Sequence, residues 1–174
     1  MKLKWKSSCW VAPLVGIVSV LPQAKADTLS AIAGLAFARK DVKSPTPILG
    51  VEYTFDASSR FKLGGFYDYE LLSYVKGAPG AVRFRGLVTR LGLNGSAESG
   101  PFIFGKAGLA VQNVGEDSST NRLAYGGGAG YQVVLSKAVS LNPRFGVRVL
   151  PETPESNSPN RIVYDSSLMV SFRF

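Results

Sequence analysis

The stretch SSLMVSFRF, residues 166–174, alternates between two kinds of side chain. Because successive side chains on a strand point to opposite faces, one face is apolar and the other is mostly polar. The apolar face consists of Leu168, Val170, Phe172 and Phe174. A strand of this kind has to be protected on both edges by neighbouring strands, or by a non-aqueous solvent. The stretch therefore predicts a last strand that has neighbours on both edges or lies in a non-aqueous solvent, and the remaining segments have to decide between the two.

Seven segments upstream have the same period of two and the length of a strand, and turn-rich stretches separate them. No segment of useful length has the period of a helix. The predicted strands are 29–40, 46–56, 61–72, 81–93, 102–113, 123–135, 139–150 and 161–174. The sequence thus predicts an all-β protein with eight strands.

The fourth segment has an inconsistent alternation. Its first half alternates apolar residues with Arg83 and Arg85, but Leu91 and Leu93 have the opposite parity. A bulge near Gly86 would reconcile the two halves. We therefore expect Arg83 and Arg85 on the polar face of the strand.

The fifth segment admits two apolar faces. One contains Ile103 and Leu109, and the other contains Phe102 and Phe104. We prefer the first, because it turns Lys106 towards the polar side.

The connections indicate an up-and-down meander. Proline-rich and acid-rich stretches such as PETPESNSPN, residues 151–160, follow the odd-numbered segments, whereas turns such as DASSR, residues 56–60, follow even-numbered ones. A meander places these two sets at opposite ends of a barrel, as in transmembrane barrels with short turns on one side and longer loops on the other.

The polar faces carry far too much charge for a dry core. They hold Glu52, Lys62, Asp68, Glu70, Arg83, Arg85, Lys106, Arg144, Arg148, Asp165 and Arg173. A soluble barrel of the lipocalin type would turn the apolar face inward instead, and alternation alone does not separate the two solutions. Aromatic residues near strand ends, glycines on the polar face and strands that cover roughly 25 Å favour a transmembrane barrel.

The first 26 residues have the layout of a cleavable signal peptide. Three lysines precede an apolar run, and the triplet Ala24-Lys25-Ala26 supplies a cleavage site before Asp27. We therefore predict a signal peptide over 1–26 and a barrel over 27–174. The signal contains Cys9, the single cysteine, and four of the 20 basic residues, so the remainder carries 16 basic and 12 acidic residues, a net charge of +4. This modest charge argues against a nucleic-acid partner.

The chain resembles the small OmpA/OmpX-type outer-membrane β-barrel proteins in its signal, its eight alternating strands and its ending VSFRF. This resemblance implies an eight-stranded antiparallel up-and-down transmembrane barrel in the bacterial outer membrane, in contact with lipid and lipopolysaccharide. It also implies that the last strand is recognised by the barrel-assembly machinery. That signal maps to Tyr164, Leu168, Val170, Phe172 and Phe174.

The sequence contains no histidine. Barrel enzymes of similar size use a histidine for acid–base catalysis, so we predict a non-enzymatic protein with no catalytic, metal-binding or cofactor-binding residues and no cofactor. Three functions stay open. The preferred one is a structural or surface-interaction scaffold that displays its outer loops, where an extracellular ligand is conceivable. The alternatives are a pore for small solutes or ions and a barrel that binds or transports a hydrophobic ligand.

The polar faces predict three ion pairs that plug the lumen near the longer loops. If Glu70 lies opposite Arg83, then Asp68 lies opposite Arg85, because antiparallel partners step in opposite directions. The same counting on the last two strands sets Arg148 opposite Asp165.

Overall fold

A computed structural model describes residues 27–38, 45–72, 80–95, 99–114, 118–151 and 160–174. The predicted signal peptide, residues 1–26, lies outside this part of the chain. The strands are β1 (Asp27–Ala38), β2 (Thr46–Asp56), β3 (Phe61–Leu72), β4 (Gly80–Gly92), β5 (Gly100–Val114), β6 (Ser118–Val134), β7 (Val139–Pro151) and β8 (Asn160–Arg173). Among the described residues, no helix is long and apolar enough to cross a membrane.

The eight strands form a closed antiparallel barrel in which each strand pairs with its neighbours in the sequence. β8 closes the barrel against β1, with Val170 opposite Ala31. The closure extends to the last residue, since the Asp27 amide donates to the Phe174 carbonyl at 3.2 Å and the Phe174 amide donates to the Asp27 carbonyl at 3.1 Å. The last strand thus has neighbours on both edges, which is one of the two situations that the alternation of residues 166–174 predicts.

The predicted strand limits agree with the structure to within two residues, with one exception. β6 begins at Ser118, five residues before the predicted start at Leu123. The added segment is polar and has no apolar alternation. It becomes a strand because it pairs with β5, with Arg122 opposite Ala110 and Ser118 opposite Val114.

Two short turns at one end of the barrel contain the same hydrogen bond from a backbone amide to a serine hydroxyl. In the β2–β3 turn the Phe61 amide donates to Ser58 Oγ, and in the β6–β7 turn the Val139 amide donates to Ser136 Oγ, each at 3.1 Å. The β4–β5 connection contains Gly95 at a φ of 82°, a left-handed value that glycine adopts without steric cost. We call this end the turn end, and the end reached after odd-numbered strands the loop end.

Most large apolar side chains of the barrel wall face outward, and most charged side chains of the strands face the lumen. Leu49, Leu87 and Leu123 are 58, 65 and 72 % exposed, whereas Glu52 and Glu70 are 1 and 0 % exposed. A water-soluble barrel would place these groups the other way round. The burial pattern confirms the transmembrane form of the barrel and excludes the lipocalin alternative.

The predicted bulge in β4 is wrong. The register of β4 with β3 and with β5 runs without interruption through Gly86. Leu91 faces outward, and the same alternation of faces holds along the whole strand. Arg83 and Arg85 therefore also point outward, and Phe84 points into the lumen. Steric crowding explains the glycine, because a Cβ on Gly86 would collide with the Ala107 carbonyl oxygen of β5. For β5 the preferred face is confirmed, with Ile103 and Leu109 exposed and Lys106 buried.

Apolar side chains fill the lumen towards the loop end. Phe66 and Phe84 meet edge to face with ring centroids 4.6 Å apart. We call the whole group the apolar plug; it consists of Ala36, Ile48, Phe66, Val82, Phe84, Val88, Ala110, Ala124, Leu150 and Val163. All its members are buried, so apolar packing contributes much of the filling of the loop-end half of the lumen.

Candidate functional site

The lumen below the apolar plug is organised around one carboxylate, Glu52 of β2. Its Oε1 lies 3.3 Å from Arg90 Nη2, and its Oε2 lies 3.1 Å from Arg144 Nη1 and 3.8 Å from Lys106 Nζ. These cations come from β4, β7 and β5, so Glu52 connects four strands across the lumen. Three cations around one buried carboxylate offset the desolvation of its charge.

The cations of this central cluster also contact aromatic rings. Arg90 lies 4.3 Å from the ring centroid of Phe102, and Lys106 lies 4.4 Å from that of Phe66. Lys106 Nζ in addition donates to Asp68 Oδ2 at 2.8 Å. The rings attract the cations electrostatically and exclude water from them.

A second ion-pair cluster lies nearer the loop end and is centred on Arg148. Its Nη2 is 3.2 Å from Glu70 Oε2, and its Nε is 3.1 Å from Asp165 Oδ2. Thr46 Oγ1 donates to Glu70 Oε1 at 2.7 Å. One guanidinium thus holds two carboxylates, one from the adjacent strand β8 and one from β3 across the lumen, and Glu70 lies opposite Ile48 and Val82 of the apolar plug.

A third cluster lies at the turn end. Asp56 pairs with Lys62 Nζ at 2.6 Å and with Arg173 Nη2 at 3.3 Å. It borders an open recess of about 440 Å³, which Ser140 and Gln132 also line. In contrast, the cavity between the central and loop-end clusters has only about 10 Å³, room for about one water molecule.

The structure places the predicted lumen residues in two groups. Arg148 and Asp165 lie together, although the contact is diagonal, because Arg148 is opposite Val163 and Asp165 is opposite Gly146. The predicted pairs Glu70–Arg83 and Asp68–Arg85 are wrong.

The reason for both errors is the parity of β4. Glu70 lies opposite Val82 and Asp68 lies opposite Phe84, while Arg83 and Arg85 are exposed on the outside of the barrel. The cations that Glu70 and Asp68 contact are Arg148 and Lys106 instead.

Sequence reasoning missed Arg90 and the central role of Glu52. Continuing the parity of Leu91 along β4 would have placed Arg90 inside. No local signal brings Glu52 to Arg144, which is 92 residues away and on a strand that does not pair with β2.

The interior charge is nearly balanced. Among the described residues, the ion pairs involve six basic and five acidic side chains. They are Lys62, Arg90, Lys106, Arg144, Arg148 and Arg173, with Glu52, Asp56, Asp68, Glu70 and Asp165. The sequence assigns seven basic and four acidic residues to the polar faces, a surplus that would favour anions in a pore. In the structure Arg83 and Arg85 leave this set, and Arg90 and Asp56 join the interior ion pairs.

The residues predicted as an assembly signal share the outer face of β8 and its end. Tyr164, Leu168, Phe172 and Phe174 are exposed, and Val170 is partly exposed. In the part of the chain that the structure describes, no three histidine, cysteine or acidic side chains group into a metal site.

Comparison with known proteins connects this architecture to solved membrane barrels. Neisserial surface protein A matches with a TM-score of 0.59 and 13% identity, over 86% of this chain and 96% of that one. AlkL in lipid bilayers matches with a TM-score of 0.54 and 11% identity, over 100% and 97%. Ail of Yersinia pestis matches with a TM-score of 0.53 and 12% identity, over 86% and 97%.

The chain has the fold of a small outer-membrane β-barrel. The expected OmpA/OmpX-type architecture is thereby confirmed at the level of fold. No family model matches the sequence, and no curated protein matches it either. Identities this low carry the architecture alone, so the function has to be argued from the chain's own residues.

Proposed function

We propose that the protein is an integral protein of the bacterial outer membrane whose closed barrel serves as a rigid, non-conducting scaffold for its outer loops. The observation that carries this proposal is the filled lumen. Ion-paired clusters occupy its centre, and the apolar plug fills the half nearest the loops. A barrel of this size is just filled by side chains.

The plug and the clusters block passage in different ways. The packed side chains of the plug narrow the lumen, and a hydrophobic constriction opposes the hydration of an ion. Below the plug, Arg148 holds Glu70 and Asp165 in place by charge-assisted hydrogen bonds. A solute that enters from the turn end therefore meets the central cluster after crossing the recess.

The scaffold function is non-enzymatic. The sequence has no histidine, and each carboxylate of the central and loop-end clusters contacts a basic side chain. These carboxylates are therefore engaged in ion pairs inside the lumen.

Delivery to the membrane completes the proposal. Residues 1–26 direct export and are cleaved before Asp27. The barrel-assembly machinery then recognises the last strand through Tyr164, Leu168, Val170, Phe172 and Phe174. The position of these side chains along the outer face of β8 supports that role.

One observation favours a pore as the second candidate. The recess of about 440 Å³ at the turn end is open and carries Lys62, Lys137 and Arg173. It would admit small anions. Transport would require the central cluster and the apolar plug to rearrange.

Epitope insertion on intact cells tests the scaffold proposal. A short tag inserted between Glu155 and Ser156, in the β7–β8 connection, should be labelled by antibody on whole cells. A matched insertion between Ser58 and Ser59, in the β2–β3 turn, should be labelled only after the outer membrane is opened. Labelling of the Ser58–Ser59 site on intact cells, or of neither site, would contradict the proposal.

A further inference from the structure

The outward-facing side chains of the strands are charged at very few positions. Within the described strands, these positions are Asp27, Arg83 and Arg85. Asp27 begins β1 at the turn end. The two arginines are thus the charged outward groups on the loop-end half of the barrel wall.

The arginines form a ladder with two tyrosines of the neighbouring strand. Tyr69 lies opposite Arg83 and Tyr67 lies opposite Arg85, all on the outer face. Residues two apart on a strand are separated by roughly 6.6 Å, and opposed residues by about 5 Å. We call these four residues the arginine–tyrosine surface.

This surface has no acidic partner among the described residues. Asp68 and Glu70 belong to the same strand as the tyrosines, but they point into the lumen and pair with Lys106 and Arg148 there. On the other side of β4, the outward neighbours are Leu109 and Val111. Within the described part of the chain, the positive charge is therefore uncompensated and is framed by apolar and phenolic side chains.

The arginines lie in the part of the apolar band that is near its loop-end boundary with the headgroups. With a rise of about 3.3 Å and a tilt of about 40°, each residue of β4 covers roughly 2.5 Å along the barrel axis. Arg83 and Arg85 then lie roughly 8 and 13 Å below Gly80 along the barrel axis. The height that β4 covers along this axis is roughly 8 Å greater than the ~25 Å height of the apolar band. The long aliphatic stem of an arginine allows its guanidinium group to extend along the wall towards that boundary.

We propose that the arginine–tyrosine surface binds the phosphate groups of lipopolysaccharide in the outer leaflet. The guanidinium fork matches a phosphate in a bidentate manner, and tyrosine hydroxyls donate to the remaining oxygens. Two arginines about 7 Å apart suit a lipid headgroup that carries more than one phosphate. The inference rests on the proposed function, because it needs the loop end of the barrel to face outward.

Lipid retention by purified protein tests the inference. The wild type, Arg83→Gln/Arg85→Gln and the control Arg60→Gln/Lys137→Gln are folded in micelles that contain equal amounts of lipopolysaccharide, phosphatidylglycerol and phosphatidylcholine. The control removes the same charge from exposed turn-end residues. Native mass spectrometry counts the bound lipids. The double arginine variant should retain about tenfold less lipopolysaccharide than the wild type and the control.

Three outcomes would overturn the inference. The first is equal retention of lipopolysaccharide by all three proteins. The second is equal retention of phosphatidylglycerol and lipopolysaccharide by the wild type. The third is a lipid-free dimer of the wild type that dissociates when the two arginines are substituted. A shift in gel mobility on heating shows that each variant is folded. The epitope insertions distinguish a failure of this inference from a failure of the proposed function. If they report the reverse orientation, the proposed function is wrong. If they report the expected orientation but lipopolysaccharide is not retained, only this inference is contradicted.

Discussion

The two halves of the lumen are filled by different kinds of side chain. Towards the loop end, apolar side chains such as Phe84 and Leu150 fill the interior together with the Arg148 ion pairs. Towards the turn end, Glu52 and its cations fill it with paired charges. Apolar packing tolerates changes that preserve volume, whereas a charge network fails when one member loses its partners. The comparison therefore predicts different responses to substitution in the two halves.

The largest effect is expected at the centre of the charged half. Glu52→Ala leaves Arg90 and Arg144 buried without the carboxylate that they share, which should lower the free energy of unfolding by about 3–5 kcal/mol. Urea unfolding in lipid vesicles measures the change. Glu155→Ala, in the β7–β8 connection, is the control and should change the free energy by less than about 0.5 kcal/mol. An equal effect of both substitutions would show that the Glu52 network contributes nothing.

In the apolar half, Phe84→Ala should cost about 3 kcal/mol through the cavity that it leaves. Phe84→Leu keeps much of the volume and should cost less than about 1.5 kcal/mol. Phe145→Ala serves as the outward control, because lipid fills the space vacated on the exposed face of β7. If Phe84→Leu were as destabilising as Phe84→Ala, volume would not be the property that the plug requires.

The loop-end ion pairs should give an intermediate effect. Arg148→Ala removes the cation from Glu70 and Asp165, with an expected loss of about 2–3 kcal/mol, since Thr46 still donates to Glu70. Adding Glu70→Gln and Asp165→Asn to Arg148→Ala should recover part of the loss, because it removes the uncompensated charges. A triple variant less stable than Arg148→Ala would contradict this explanation.

The smallest effect on stability is expected at the closing seam. Deleting Phe174 removes its reciprocal backbone hydrogen bonds with Asp27, worth about 1 kcal/mol. The same deletion should lower the amount of folded protein in the outer membrane without changing export, which fractionation and the heat-dependent mobility shift report. Phe145→Ala provides an aromatic control away from the last strand. Unchanged assembly after the deletion would remove the proposed assembly role of Phe174.

The contrast between the halves also explains what the sequence predicted well. Where the lumen is polar and the wall apolar, alternation identifies both faces, and this applies to β2, β3, β7 and β8. The limits of β2 and β3 agree with the structure at every residue. Period-two patterns work there because a charged residue such as Glu52 has no stable position in lipid.

Alternation failed where β4 passes the apolar plug. There Val82 and Phe84 fill the lumen and Arg83 and Arg85 face outward, so local hydrophobicity favours the inverse of the real orientation. The parity is fixed by the continuous ladder through Gly86, a property of the whole strand. The Glu52 network was beyond sequence reasoning for a related reason, because its cations come from strands that do not pair with β2.

Single-channel recording in planar bilayers tests the central claim, that the filled lumen makes this barrel a closed scaffold. The wild-type protein should insert without stable conductance steps, because the apolar plug and the ion-paired clusters occupy the lumen. A variant with Val82→Gly, Phe84→Ala and Leu150→Ala, which thins the plug, should show ion conductance if it still gives the heat-dependent mobility shift of a folded barrel. Stable conductance by the wild type, unchanged when the plug is thinned, would contradict the account and make the protein a pore.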